Sequence, residues 1–304
     1  MNRRATEVKI AGHTMGTPSR TPDEAIRLFA RLGIQGLELI MQDDYRSAVP
    51  TMVAARALGE IRRRATDLGV EIAFLTPYIT ALNSLDEAVW QRQLDLLHRA
   101  IEAAAELGAG GVRVYGGKEV PKAVWQPHFD RLVDALRIGG ESARRAGVRL
   151  AVENHMTTMT ESAKATMEVV RAVDLPSVGV LYDQVNLSHM HQEDFAEALA
   201  LQAGRMVHVH VKDYVRKPGR DSSASAEVAF MTPETRAIIS RVVGEGLVPW
   251  GRIIPALKAT GYDGWLSLEL EKRWYPDELP SEEESFGRSA AFLRSLLAPL
   301  ESPS

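Results

Sequence analysis

Eight short apolar runs, separated by longer amphipathic stretches, punctuate the whole 304-residue chain. They are Val8–Thr14, Gly36–Met41, Glu71–Pro77, Gly111–Tyr115, Val148–Asn154, Val178–Asp183, Met206–Asp213 and Trp265–Glu271. Val, Ile and Leu dominate them, and apolar and polar residues do not alternate cleanly. Strands read this way when both of their faces are covered, as in a parallel sheet flanked by helices.

The intervening stretches carry helix signals. Thr21-Pro22-Asp23-Glu24 combines an N-cap Thr, a Pro at the first helical position and a Glu three residues on, which is a capping box. Ser84-Leu85-Asp86-Glu87 is expected to open the third helix in the same way, and Trp90, Leu94, Leu97, Ile101 and Ala105 follow at helical spacing. Gly33, Gly108 and Gly261 stand where helices should stop, and Phe286–Leu297 supplies the last helix. Eight strands alternating with eight helices predict an α/β chain closed into a single-domain (β/α)8 TIM barrel. A doubly wound sheet would normally have fewer strands and often a glycine-rich loop after the first. Neither G-x-G-x-x-G nor a Walker sequence occurs.

One connection breaks the rhythm. The stretch Tyr214–Gly264, between the seventh and eighth strands, is about twice the usual length. It holds Lys-Pro-Gly-Arg-Asp-Ser-Ser-Ala-Ser and then a helix-like Thr232–Val243. In a barrel it leaves from the catalytic face, so residues 214–264 are expected to form a lid or an oligomer contact.

Composition limits the chemistry. There is no cysteine, so disulfides, thiolate nucleophiles and thiolate metal sites are excluded, and a metal must be held by His, Asp, Glu or water. A net charge of −4 gives no help in binding nucleic acid. The first residues lack the apolar stretch of a signal peptide, and no apolar run reaches the roughly 18 residues of a membrane span. A cytoplasmic enzyme without membrane or nucleic-acid partners is the expectation.

Barrel active sites collect at the C-terminal ends of the strands. The polar residues there are His13, Glu38, Thr76, Tyr115, Glu153 with Asn154 and His155, Asp183 with Asn186, His208 with His210 and Lys212, and Glu269 with Glu271. Each of the last four strands ends in a ligand for a hard metal: Glu153, Asp183, His210 and Glu269. Three carboxylates converging on a small volume repel each other and raise each other's pKa values, and a divalent cation removes that penalty. Three oxygens and one nitrogen suit manganese, magnesium, cobalt or zinc; carboxylate-rich sites lean toward the harder ions, and Mn2+ is the first choice. His208 and His210 lie two apart and so share a face. His210, nearer the strand end, is expected to be the ligand and His208 a hydrogen-bonded core or supporting histidine.

At these residues the chain resembles the sugar phosphate isomerase/epimerase superfamily, the xylose-isomerase-like barrels. The matching segments are Leu-Ala-Val-Glu153-Asn-His, Val-Leu-Tyr-Asp183-Gln-Val-Asn, Val-His-Val-His210-Val-Lys-Asp and Gly-Tyr-Asp-Gly-Trp-Leu-Ser-Leu-Glu269. Gly36-Leu-Glu38-Leu and Gly244-Glu-Gly246 also look like the family. The resemblance implies metal ligation by Glu153, Asp183, His210 and Glu269, with the two glutamates as the catalytic acid/base pair. It departs from the ketose 3-epimerases at Asn186, where those enzymes place a sugar-binding His, and at Arg216, the nearest match to an Arg they carry after the metal His.

The chemistry implied is proton abstraction next to a carbonyl, with a metal-stabilised enediolate. Proton return on the opposite face gives an epimerase, return to the neighbouring carbon an isomerase, and loss of a β-substituent a lyase; an isomerase or epimerase is the first expectation and a lyase the alternative. Substrate contacts are expected from Asn186, His155, Lys212, His13, Arg273 and Trp274, with Trp125 another aromatic able to stack on a sugar. The partners are a small sugar or polyol and further copies of the chain, or a small second subunit if the reaction is C-glycoside cleavage. An endonuclease needs additional histidines at the ends of strands two to four, and none is there. A non-catalytic sugar-binding barrel predicts a lost ligand, and none is lost.

Overall fold

The computed structural model describes residues 8–190, 193–218 and 236–298. The apolar runs form strands β1 (Lys9–His13), β2 (Gly36–Met41), a short outer β3 (Ala48–Val49), β4 (Glu71–Pro77), β5 (Gly111–Val114), β6 (Arg149–Glu153), β7 (Val178–Asp183) and β8 (Met206–Val211). A two-stranded ribbon of β9 (Asp213–Arg216) and β10 (Ile238–Arg241) precedes β11 (Trp265–Leu268). All strands except β9 and β10 pair in parallel with their neighbours, and β1 pairs with both β11 and β2, which closes the barrel.

Helices cover it from outside: α1 (Pro22–Arg31), α2 (Ala55–Asp67), α3 (Glu87–Leu107), α4 (Trp125–Ala146), α5 (Ala163–Val173), α6 (Gln184–Met190), α7 (Phe195–Gln202), α8 (Trp250–Ala259) and α9 (Glu282–Leu297). The Thr21 capping box forms as expected, and Gly33, Gly108 and Gly261 stop their helices at φ of 64°, 71° and 82°. Ser84 is not the N-cap of α3. Asp86 is, accepting from Val89 N, while Ser84 Oγ accepts from Asp86 N. No helix among the described residues is long and apolar enough to cross a membrane.

Strand alternation sorts the side chains into two environments. Leu37, Leu39, Val112, Val114, Leu150, Val152, Val180, Val209, Leu266 and Leu268 point outward into the main core shared with the helices. The opposite parity points into the barrel. There Ala151, Leu181, His208 and Ser267 sit two residues before Glu153, Asp183, His210 and Glu269 on their strands. Phe74 joins this lower layer, stacked on His208 with ring centroids 4.0 Å apart. It is a packed floor that forces the polar residues one layer higher, toward the mouth.

The connection 214–264 differs from its sequence reading. The helix expected over Thr232–Val243 is absent where the structure describes it: Ile238–Arg241 is strand β10, and 232–235 lie outside the described residues. The alternating burial of Ile238, Ile239, Ser240 and Arg241, with two β-branched residues at its start, fits a ribbon paired to β9.

Candidate metal centre

Register brings the strand ends to one level. Asp183 pairs with His210, His210 with Ser267, and His13 with Glu38. As a result Glu153, Asp183, His210 and Glu269 each offer a ligand atom within 4.8 Å of the others, and all four are buried. His210 Nδ1 lies 3.3 Å from both Glu153 Oε1 and Glu269 Oε2, and 3.9 Å from Asp183 Oδ2.

The electrostatics are those of a cation site. Burial pushes Asp183 up to about 6; Lys212 opposes that, while Glu269 and Glu153 reinforce it. Burial penalises Glu153 most, yet Arg113, His155 and His210 together outweigh it and hold this carboxyl at about 2. Burial works against charge on His210 too, but Glu269, Glu38 and Glu153 carry its imidazole well above the usual value. A buried cluster that draws a proton onto an imidazole against desolvation attracts positive charge strongly. Three carboxylates plus Nδ1 is the donor chemistry of a hard divalent ion, and Glu153 Oε2 and His210 Nδ1 are buried without a hydrogen-bond partner among the described residues. The residues present fit such an ion.

A second layer orients the first. His210 Nε2 is 3.1 Å from Glu38 Oε1, and His208 Nε2 is 2.8 Å from Glu38 Oε2. Thr76 Oγ1 donates to Glu38 Oε1 at 2.5 Å. Glu38 therefore fixes His210 with Nδ1 turned to the other carboxylates. Asn186 N donates to Asp183 Oδ1 at 3.0 Å, and Asn186 Nδ2 donates to the Asn154 carbonyl at 2.9 Å with Glu153 Oε1 at 3.5 Å. Asn186 thus holds Asp183 through its backbone N–H and Glu153 through its side-chain Nδ2.

Lys212 stands among the ligands rather than pairing with Asp213. Its Nζ lies 2.9 Å from Asp183 Oδ2, 2.8 Å from Glu269 Oε2 and 3.7 Å from Glu271 Oε1. Asp213 is occupied elsewhere, its carboxylate accepting backbone N–H groups of Tyr214, Gly244, Gly246 and Val248. A Cβ on Gly246 would meet Asp213 Oδ1 at 2.1 Å, which is why this turn requires glycine.

The other expected contacts spread over the mouth. His155 meets Tyr115 edge-on at 4.7 Å, and its Nδ1 is 2.7 Å from the Met156 carbonyl. That hydrogen bond assigns the proton to Nδ1 and leaves the lone pair on Nε2. His13 is fully buried; its Nδ1 accepts from Met15 N, and its Nε2 is 3.7 Å from Glu38 Oε1. Arg273 stacks on Tyr45 at 3.5 Å, with Trp274, 46% exposed, beside the same ring at the rim. Trp125 opens α4 and stacks on Phe129, a packing role. Arg216 lies on β9, paired with Ile238 in the ribbon.

Glu38 and Arg113, both charged and both in the site, had no role assigned from sequence. Glu38 was visible as a charge inside the apolar run Gly36–Met41. Arg113, in the four-residue strand Gly-Val-Arg-Val, is 1% exposed, with Nε 3.5 Å from Glu153 Oε2. A charge in the middle of so short an apolar strand was the signal that could have found it.

A sequence model of the xylose isomerase-like TIM barrel matches residues 26–296. The chain belongs to that family. An inosose dehydratase of Geobacillus thermodenitrificans is 25% identical over 211 residues, covering 67% of this chain and 70% of that one. Among solved structures, the IolI protein with a bound zinc atom superposes at a TM-score of 0.75 with 18% identity, covering 95% of this chain and 98% of that one. A D-psicose 3-epimerase, crystallised in the presence of D-fructose, reaches 0.72 with 19% identity over 95% and 99%. The chain is thus similar in sequence to a dehydratase and shares its fold with an epimerase.

Proposed function

We propose that this chain is a divalent-metal-dependent lyase that removes a proton beside the carbonyl of a small hydroxylated ketone and expels a β-hydroxyl as water. The observation that carries this reading is the pairing of unlike groups at the quartet: a lysine ammonium among the carboxylates and a neutral imidazole at the mouth. A divalent ion, Mn2+ first and Mg2+, Co2+ or Zn2+ as alternatives, held by Glu153, Asp183, His210 and Glu269, supplies Lewis acidity for the carbonyl when bound.

The chain's own groups handle the protons. His155 Nε2 offers its lone pair to the proton next to the carbonyl. Lys212 donates a proton to the departing hydroxyl as the carbon–oxygen bond breaks with its electron pair, and solvent restores it. Glu38, through His210, and Asn186, through Asp183 and Glu153, hold the ligands still. The relative that is an inosose dehydratase supports a polyol-derived ketone as substrate and loss of water as outcome. For the 214–264 connection, of which 219–235 lie outside the described residues, we propose a lid or an oligomer contact.

An isomerase or epimerase is the second reading. It is favoured by the equal 3.3 Å approach of Glu153 and Glu269 to His210 Nδ1, which makes them a matched acid/base pair. Incubation with inososes and ketoses in deuterated water, followed by mass spectrometry, separates the two. Loss of water identifies the lyase, and deuterium gained without loss of water identifies the isomerase or epimerase. No change in any such ketone overturns proton-abstraction chemistry altogether.

A further inference from the structure

Arg113 is a buried cation whose hydrogen bonds are incomplete. It points into the barrel from β5, and its Nε and Nη1 are buried and donate to no described residue. Its one described ion pair, with Glu153 Oε2, is long at 3.5 Å, and Glu153 is shared with the metal quartet. A guanidinium enclosed in this way is costly unless acceptors complete it. The other neighbours among the described residues supply aromatic faces and the Tyr115 hydroxyl, but no second carboxylate close to the guanidinium. The guanidinium carbon lies 3.9 Å from the centroid of the Tyr115 ring and 5.3 Å from that of Tyr78. The Tyr78 hydroxyl is itself buried without a partner among the described residues. These three side chains come from β4, β5 and the residues just beyond them, on the side of the quartet occupied by Glu153.

We propose that Arg113, with the hydroxyl of Tyr78, forms a subsite for a carboxylate on the substrate. A planar carboxylate accepts from the edge of a guanidinium through two oxygens and supplies the missing negative charge. A neutral polyol supplies oxygens without charge, which makes the weaker bond. This rests on the reading of the mouth as a hydroxylated-ketone site and narrows its substrate class: a hydroxylated keto acid, cyclic or open, with its ketone near the quartet and its carboxylate on Arg113.

The test compares two ring polyols that differ in charge, quinate with one carboxylate and neutral myo-inositol, by calorimetric titration of the full chain supplied with Mn2+. Quinate is expected to bind about ten-fold or more tightly than myo-inositol, because a charged acceptor replaces a neutral one. Arg113→Met and Tyr78→Phe are each expected to shrink that preference, with circular dichroism reporting whether each variant folds. Equal affinities, no quinate binding, or a preference that survives in Tyr78→Phe and in folded Arg113→Met overturns the subsite. If Arg113→Met does not fold, Tyr78→Phe alone decides. Failure here is separable from failure of the lyase reading. Dehydration of neutral ketones without a quinate preference sinks the subsite alone, whereas an Arg113-dependent quinate preference with no ketone turned over sinks the reaction alone.

Discussion

Glu38 and His210 meet across the barrel interior, with Oε1 3.1 Å from Nε2 and both side chains fully buried. The contact leaves Nδ1 of His210 as the nitrogen facing Glu153, Asp183 and Glu269. Glu38→Gln keeps the shape but removes the charge that orients the ring. It is expected to weaken Mn2+ binding about 10–100-fold, the usual effect of losing such a support. Equilibrium dialysis measures it, and an unchanged dissociation constant would count against this role.

Removing a member of the quartet has a larger effect. Asp183→Ala and Glu153→Ala are each expected to bring bound metal from about one ion per chain to near none. Elemental analysis of the purified variants checks this, and a full ion load in both would contradict the site.

Metal affinity should depend on pH with a definite sign. Asp183, pushed up to about 6 by burial, must be ionised to ligate, and His210, held well above its usual value, must lose its Nδ1 proton. Protons therefore compete with the ion at both residues, so affinity falls as pH drops from 7 to 5. The same linkage makes ion binding release protons at neutral pH. Titrations in buffers of different ionisation enthalpy count them, and an uptake of protons would refute the assignment.

Lys212 separates binding from chemistry. Lys212→Met is expected to retain metal while lowering turnover about 10²–10⁴-fold, the range for loss of an acid/base group. Metal content and kcat measured on the same preparation distinguish this from loss of the site.

Strands and quartet were legible in the sequence because both are local. A covered strand is an apolar run, and a barrel puts its chemistry where that run ends. What escaped depends on partners far away in the chain. Arg113 looked like one charge in an apolar strand until Glu153, Tyr78 and Tyr115 surrounded it. Ile238–Arg241 looked helical because its pairing with Asp213–Arg216 spans an insertion. Asp86, not Ser84, caps α3, a two-residue shift of the kind that boundary signals do not resolve.

Arg236 ties that ribbon to the loop after β11. It is buried, pairs with Glu271, lies 2.8 Å from Glu278 and stacks over Tyr275 at 3.5 Å. Ser240 reaches the same two carboxylates. Arg236→Met is expected to destabilise the fold by about 2–3 kcal/mol, below the value for a fully buried pair because both glutamates are partly exposed. Urea denaturation reads this as a lower midpoint.

Asp213 and Arg236 fix the base of the ribbon, so whatever chain lies between positions 218 and 236 departs and returns at the same two points. Lengthening such a loop is cheap, about 0.6 kcal/mol for each doubling. The barrel therefore offers a natural graft point. Evolution, or a protein engineer, can exchange this stretch while the register that assembles the four ligands stays untouched.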